Sequence, residues 1–153
     1  MSYIIGIEYC KLDNNGRFKL PIAIKRQIEG DDNRFVIKPS FYANCLELWT
    51  YANFEAEIAQ LQKELNPYSI EDRAMMRRLT AGKIIDLDVN DRLLIPIEMR
   101  SRINSSKDLI IQSSGKFMEI WDSDTYRQMN DDLDSFAAKV DERLGRVAHV
   151  PEV

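Results

Sequence analysis

Leu12-Asp13-Asn14-Asn15-Gly16-Arg17-Phe18-Lys19-Leu20-Pro21 returns 75 residues later as Leu87-Asp88-Val89-Asn90-Asp91-Arg92-Leu93-Leu94-Ile95-Pro96. Each copy reads Leu-Asp, a two- or three-residue turn, Arg, apolar-x-apolar, Pro, with a basic residue four positions on, Lys25 or Arg100. This duplication constrains the fold more than any other feature of the 153-residue chain. Neither half is large enough to bury both faces of its own small sheet, so two related halves must share one core. A repeat that keeps a turn and its arginine, beyond apolar periodicity, also points to a duplicated working surface.

The remaining segments repeat in the same order. Tyr3 to Tyr9 reads as a strand, and Arg17 to Leu20 alternates Phe18 and Leu20 against Arg17 and Lys19 with period two. Asn15-Gly16 predicts a hairpin, with positive φ at both residues if the turn is type I′. Pro21 opens a short helix, Ile22 to Ile28, closed by Gly30. Strands are expected at Phe35 to Ile37 and Cys45 to Trp49, then an amphipathic helix through Phe54, Ile58, Leu61 and Leu65. Ile70 to Leu79 reads as a linking helix. The second half then offers strands at Ile84 to Leu87 and Arg92 to Ile95, a short helix from Pro96 to Arg102, and strands at Leu109 to Ile111 and Phe117 to Trp121. Glu47/Glu119 and Trp49/Trp121 recur at an offset of 72. The change of offset falls in loops, where deletions are tolerated. Tyr126, Met129, Leu133, Phe136, Val140 and Leu144 predict one long helix capped by Gly145. The expected partition is 1–66 for the first repeat, 67–82 for the linking helix, 83–126 for the second repeat and 127–153 for the C-terminal helix and tail, forming one pseudo-symmetric domain.

The turn has a chemical logic. Asp13 and Asp88 can accept hydrogen bonds from turn N–H groups, and Gly16 supplies a positive φ. Asp91 takes the place of that glycine, and Asp is among the few other residues tolerated there. Arg17 and Arg92 then begin outward strand faces. A rigid turn presenting a guanidinium suits phosphate oxygens or the O6/N7 edge of guanine. The plainer alternative is that each Arg pairs with its own Asp four residues earlier. Lys19 reinforces Arg17, whereas Leu94 stands in the corresponding place, so the first turn is the better phosphate reader. The second is adapted either to packing or to a weaker contact.

Charge is unevenly spread. The net charge is −4, yet Lys11 to Lys38 holds seven Lys/Arg against four Asp/Glu, and Arg73 to Lys107 holds eight against four. Glu119 to Glu152 compensates with nine acids against four bases. Phosphate binding depends on a local basic face, so the acidic total does not exclude it. Little supports an enzyme. His149 is the single histidine, and no nucleophile motif, P-loop or Rossmann glycine run is present. Glu47 and Glu119 alternate with Leu and Trp, which suggests outward-facing sheet residues or intersubunit ion pairs. Trp49 and Trp121 read as core. Cys10 and Cys45 lack metal-ligand spacing and read as buried thiols; no metal or cofactor is expected. No run is apolar enough for a membrane span and no signal peptide is evident, so the expected location is cytoplasmic.

Several of these motifs, in this order, make the chain resemble the MraZ family, duplicated bacterial relatives of the AbrB-like proteins. The resemblance rests on Gly6, the Asp13-x-x-Gly16-Arg17 turn with Pro21, Arg77-Arg78-Leu79-Thr80-Ala81-Gly82, the Asp88-x-x-x-Arg92 turn with Pro96 and Arg100, and Phe117-Met118-Glu119-Ile120-Trp121. It spans Ile4 to Tyr126. It implies an α+β fold, a tandem-duplicated swapped-hairpin β-barrel with flanking helices. It also implies a homo-oligomer, often a ring, that binds repeated sites in double-stranded DNA upstream of the division and cell-wall genes and regulates them in association with the nucleoid. No small-molecule substrate is implied. The family's DNA-binding motif carries over onto Asp13/Arg17 and Asp88/Arg92; with the neighbouring Asn15, Lys19, Lys25 and Arg100, Arg17 and Arg92 make up the expected DNA contacts, and Asp13, Gly16 and Asp88 structure the turns. The chain departs from the family pattern at Asn15, where Lys is frequent, at Asp91 in place of Gly, and at Lys25 in place of Arg. A rival expectation is a ring-forming interaction scaffold without DNA binding.

Overall fold

A computed structural model describes residues 3–28, 33–103, 107–129 and 132–145. The chain falls into two compact units, Met1–Ser123 and Asp124–Val153. Among the described residues of the first, eight strands occur in two matching sets: β1 (Ile7–Lys11), β2 (Arg17–Lys19), β3 (Arg34–Pro39) and β4 (Leu46–Thr50), then β5 (Lys83–Asp86), β6 (Arg92–Leu94), β7 (Asp108–Ser113) and β8 (Met118–Asp122). Helix α1 (Ile22–Lys25) follows β2, and a 3-10 helix (Ile97–Ile103) follows β6. Helices α2 (Tyr51–Glu64) and α3 (Ile70–Leu79) join the two sets.

The two repeats exchange strands. The main sheet runs β1-β7-β8-β4-β3-β5, so each repeat's first strand pairs with the other repeat's third. Every pairing is antiparallel, and β4 meets β8 at the centre through Leu46↔Ile120, Glu47↔Glu119 and Leu48↔Met118. The second strands leave this sheet and pair with each other, Arg17↔Leu94, Phe18↔Leu93 and Lys19↔Arg92. Among the described residues the main sheet remains open at β1 and β5 and does not close into the expected barrel. A physical reason lies in β2 and β6 themselves. Each is three residues long and is soon followed by a proline that cannot donate to a ladder, Pro21 or Pro96.

Period-two alternation sorts the side chains between two layers. Phe35 and Ile37 of β3, Leu46 and Leu48 of β4, Leu109 and Ile111 of β7, and Met118 and Ile120 of β8 enter one core with Phe18, Leu20, Leu93 and Ile95. Val36 and Trp49 face the other way and pack with Phe54 of α2, Trp49 stacking on Phe117 at 4.7 Å between ring centres. Because α2 covers that face, Glu47 is buried rather than outward-facing. Its carboxylate accepts from Trp49 Nε1 at 3.1 Å and lies 3.7 Å from Lys38 Nζ, so its cation comes from the same chain. Glu119 likewise accepts from Trp121 Nε1 at 3.3 Å. Both tryptophans are buried, as expected. Cys45 is buried and Cys10 half-buried; burial pushes each free thiol up to about 12.

Three expected elements differ. The first strand begins only at Ile7, because Gly6 sits at φ +138° and leaves Ile4 to a separate bridge with Gly115. The helix after Pro21 is helical only to Lys25, and its expected cap Gly30 lies outside the described residues. The long C-terminal helix is two helices, α4 (Ser123–Gln128) and α5 (Leu133–Leu144). Asp132 caps α5 by accepting from Ser135 N at 2.7 Å, a helix-start signal that overrides the continuous apolar periodicity. Gly145 caps α5 in the left-handed conformation, φ +60°. No described helix is long and apolar enough to cross a membrane.

Candidate nucleic-acid interface

The β2–β6 ribbon brings the two repeated turns onto one surface. Within each turn the aspartate builds the bend. Asp13 Oδ1 accepts from the backbone N–H of Asn15 at 2.8 Å and of Arg17 at 2.9 Å. Asp88 Oδ1 makes the same two bonds, to Asn90 and Arg92, at the same lengths. The chain closes with Gly16 N on Asp13 O at 3.1 Å and Asp91 N on Asp88 O at 3.0 Å. Gly16 has φ +82° and Asp91 φ +60°, and among the described residues Asp91 is the only non-glycine in that region. Asn15 therefore has negative φ, and the hairpin is not type I′. It is the three-residue kind, a turn followed by one left-handed residue. The aspartate's double acceptance selects this loop by satisfying N–H groups that a two-residue turn would place elsewhere.

Cross-repeat bonds then lock one turn against the other. Leu20 donates its N–H to Asp91 O, and Ile95 donates to Gly16 O, both at 2.9 Å. The arginine side chains also cross. Arg92 Nη1 donates to Asp13 Oδ2 at 2.7 Å, while Arg17 Nε stands 4.0 Å from Asp88 Oδ2. Neither arginine uses its own repeat's aspartate as a side-chain partner. That carboxylate instead holds the arginine's backbone N–H. The Arg17 N–H is also the main reason Asp13 is held below its ordinary carboxylate range, with further help from Asn15 N–H and Arg92.

The basic residues after the prolines cross over too. Arg100 reaches the first turn, donating Nε to Ile95 O at 3.1 Å and Nη2 to Asn15 O at 3.3 Å. It lies so close over Gly16 that any Cβ there would collide with the guanidinium. Lys25 reaches the second turn and meets Asp91 Oδ1 at 2.5 Å. All six contact residues expected from sequence, five cations and Asn15, thus border the two turns. Asn15 and Lys19 are exposed, Arg17 is half-buried beside the buried Phe18, and Arg92 is exposed opposite Lys19. Lys25 and Arg100 serve as cross-repeat braces.

Sequence reading missed Lys107, whose Nζ donates to Asn14 Oδ1 at 2.6 Å across 93 residues. No local motif marks it; only the second basic segment, which it ends, hinted at it. Asn90 also lines the shared depression between the turns, with Asp13, Asn15, Arg17, Lys19, Asp88, Asp91 and Arg92. Within the depression Arg17, Lys19 and Arg92 balance Asp13, Asp88 and Asp91, and Lys25, Arg100 and Lys107 reach the turns from outside it. Among the described residues no group of His, Cys, Asp and Glu could hold a metal ion.

These features define a duplicated α+β protein that carries a paired, carboxylate-braced cationic turn surface. Residues 80–147 match the family described as "MraZ protein, putative antitoxin-like". The chain is 34% identical over 150 residues to a transcriptional regulator MraZ of Flavobacterium psychrophilum, covering 96% of this chain and 95% of that one. A protein of the same name from Christiangramia forsetii is 34% identical over 148 residues, 95% of each chain. One from Cytophaga hutchinsonii is 30% identical over 129 residues, 84% of this chain and 85% of that relative. The chain belongs to the MraZ family.

Proposed function

We propose that the protein is a transcriptional regulator that binds double-stranded DNA through the paired turns, with Arg17 and Lys19 as its principal contacts. The observation that carries this reading is the convergence of both repeated turns on one ribbon, which gathers Arg17, Lys19 and Arg92 in one depression with Lys25, Arg100 and Lys107 around it. Rigid turns suit DNA because little loop entropy is lost on binding. Arg17 is the more available arginine, since its nearest carboxylate is 4.0 Å away and Arg92 is engaged at 2.7 Å. A half-exposed ion pair at 4.0 Å contributes roughly 0–1 kcal/mol, so a phosphate can displace it. Asn15 and Arg92 are secondary contacts.

The relatives' printed name supports regulation of transcription. The exchange of β1 and β5 between repeats supports a swapped-hairpin arrangement, and the operator is read as repeated sites ahead of the division and cell-wall genes. A homo-oligomer fits the edge strand β1, which exposes Ile7 and Tyr9 on one side. That same row favours the second reading, a ring-forming scaffold that does not bind DNA. A gel-shift titration of the wild type and Arg17→Ala on the duplex upstream of its own gene separates them. The wild type should shift the duplex, its affinity should fall with salt, and Arg17→Ala should weaken binding and lower the salt slope by about one per bound turn. Undiminished binding by Arg17→Ala removes the site assignment, and no binding by either protein favours the scaffold.

A further inference from the structure

The braces across the two turns occupy corresponding positions in the repeats and have opposite electrostatic consequences. Arg100 donates to two neutral carbonyls, Ile95 O and Asn15 O, so its charge is added to the first turn. Lys25, in the corresponding position of the other repeat, meets the Asp91 carboxylate at 2.5 Å, so its charge is cancelled at the second. The residue at the left-handed turn position accounts for the difference. At Gly16 a side chain would collide with Arg100, whereas at Asp91 the side chain occupies that space and captures the lysine.

We propose that Asp91 sets the strength of the second turn by holding Lys25 away from DNA phosphate, which makes this chain's two turns unequal contacts. The proposal rests on the DNA-binding reading above and names a residue that limits it. Both members of the pair remain partly exposed, with side-chain exposures of 44% for Lys25 and 36% for Asp91, so a released ammonium could reach a phosphate without refolding. Backbone bonds keep the second turn in place regardless of this side chain: Asp91 N donates to Asp88 O and Asp91 O accepts from Leu20 N. Asn tolerates the left-handed conformation and Gly adopts it freely, so both replacements suit φ +60°.

The test compares wild type, Asp91→Asn, Asp91→Gly and Asp91→Asn with Lys25→Met on the upstream duplex, at several salt concentrations, with thermal unfolding run in parallel. Both single variants should bind more tightly, by about three- to tenfold at moderate salt, with a slope steeper by about one per bound turn, as expected for one further phosphate contact. Adding Lys25→Met should return affinity and slope to the wild-type values. Unchanged binding by folded Asp91→Asn and Asp91→Gly overturns the proposal while leaving the DNA-binding reading intact if Arg17→Ala still weakens binding. A gain that survives loss of Lys25 also overturns it, because removal of a repelling carboxylate would then suffice. Absence of any wild-type shift sinks both readings together, and is recognised by Arg17→Ala behaving identically.

Discussion

The Asp13–Arg17 and Asp88–Arg92 turns are near copies in backbone and unlike in charge. Their aspartates accept the same pairs of N–H groups at the same distances, and their cross-repeat bonds, Leu20 to Asp91 and Ile95 to Gly16, are equal in length. Yet the first turn keeps Arg17, Lys19 and Arg100 largely uncompensated, while Arg92 and Lys25 around the second are each bonded to a carboxylate. Duplication has preserved what shapes the turn and released what decorates it. The cause is mechanical. Each turn's backbone is tied to its partner's, so a change of shape in one disturbs both, whereas an exposed side chain can change alone.

The sharpest way to break this symmetry of shape is in the core beneath it. Phe18 and Leu93 face one another across the ribbon, and both are fully buried. Phe18→Ala should cost about 3–5 kcal/mol and Leu93→Ala about 2–5 kcal/mol in denaturant unfolding, since each leaves a cavity under both turns. If one of them cost almost nothing, the two halves would not share a core.

Electrostatic inequality predicts the next effect. Arg17→Ala should lose about 1–3 kcal/mol of DNA affinity, and Arg92→Ala distinctly less, because Arg92 must first give up its bond to Asp13. Titrating both variants on one duplex measures the difference. Equal losses would show that the two turns contact DNA alike.

The left-handed position gives a smaller contrast, read in stability. Gly16→Ala should destabilise by more than about 1 kcal/mol, since it adds an unfavourable positive φ and a clash with the Arg100 guanidinium. Asp91→Gly should change stability far less, because φ is eased as the Lys25 contact is lost. Chemical denaturation of both variants would settle the order.

Sequence made the duplicated order of elements plain because apolar alternation and the Asp-turn-Arg-Pro pattern are local signals. Helix α3 is expected and found over the same residues, Ile70–Leu79. What stayed hidden depends on how the halves meet. The crossing of Arg92 to Asp13 spans 79 residues and that of Lys25 to Asp91 spans 66, and no spacing rule reveals either. Alternation assigns Glu47 a face without revealing that α2 covers that face. Spacing leaves a two- or three-residue turn open, with Asn15-Gly16 favouring the shorter type I′ form, and the aspartate two residues before Asn15 selects the longer one.

That aspartate gives the mildest test of the comparison. Asp13 titrates below its ordinary value of 3.8, first because the Arg17 N–H favours its charged form. A depressed folded value means the contribution to stability is complete above the unfolded value and is lost as pH falls through the folded one. Between neutrality and about pH 5 the first turn should therefore be insensitive to acid, and it should loosen only below the ordinary carboxylate range. Unfolding followed from pH 6 down to pH 2, with Asp13→Asn alongside, isolates the effect. The variant should be less stable near neutrality and should approach the wild type in acid, where the wild-type carboxyl is also neutral. Parallel curves over the whole range would mean that Asp13 acts through shape alone, and that the charge on its Arg92-facing oxygen does not help join the two turns.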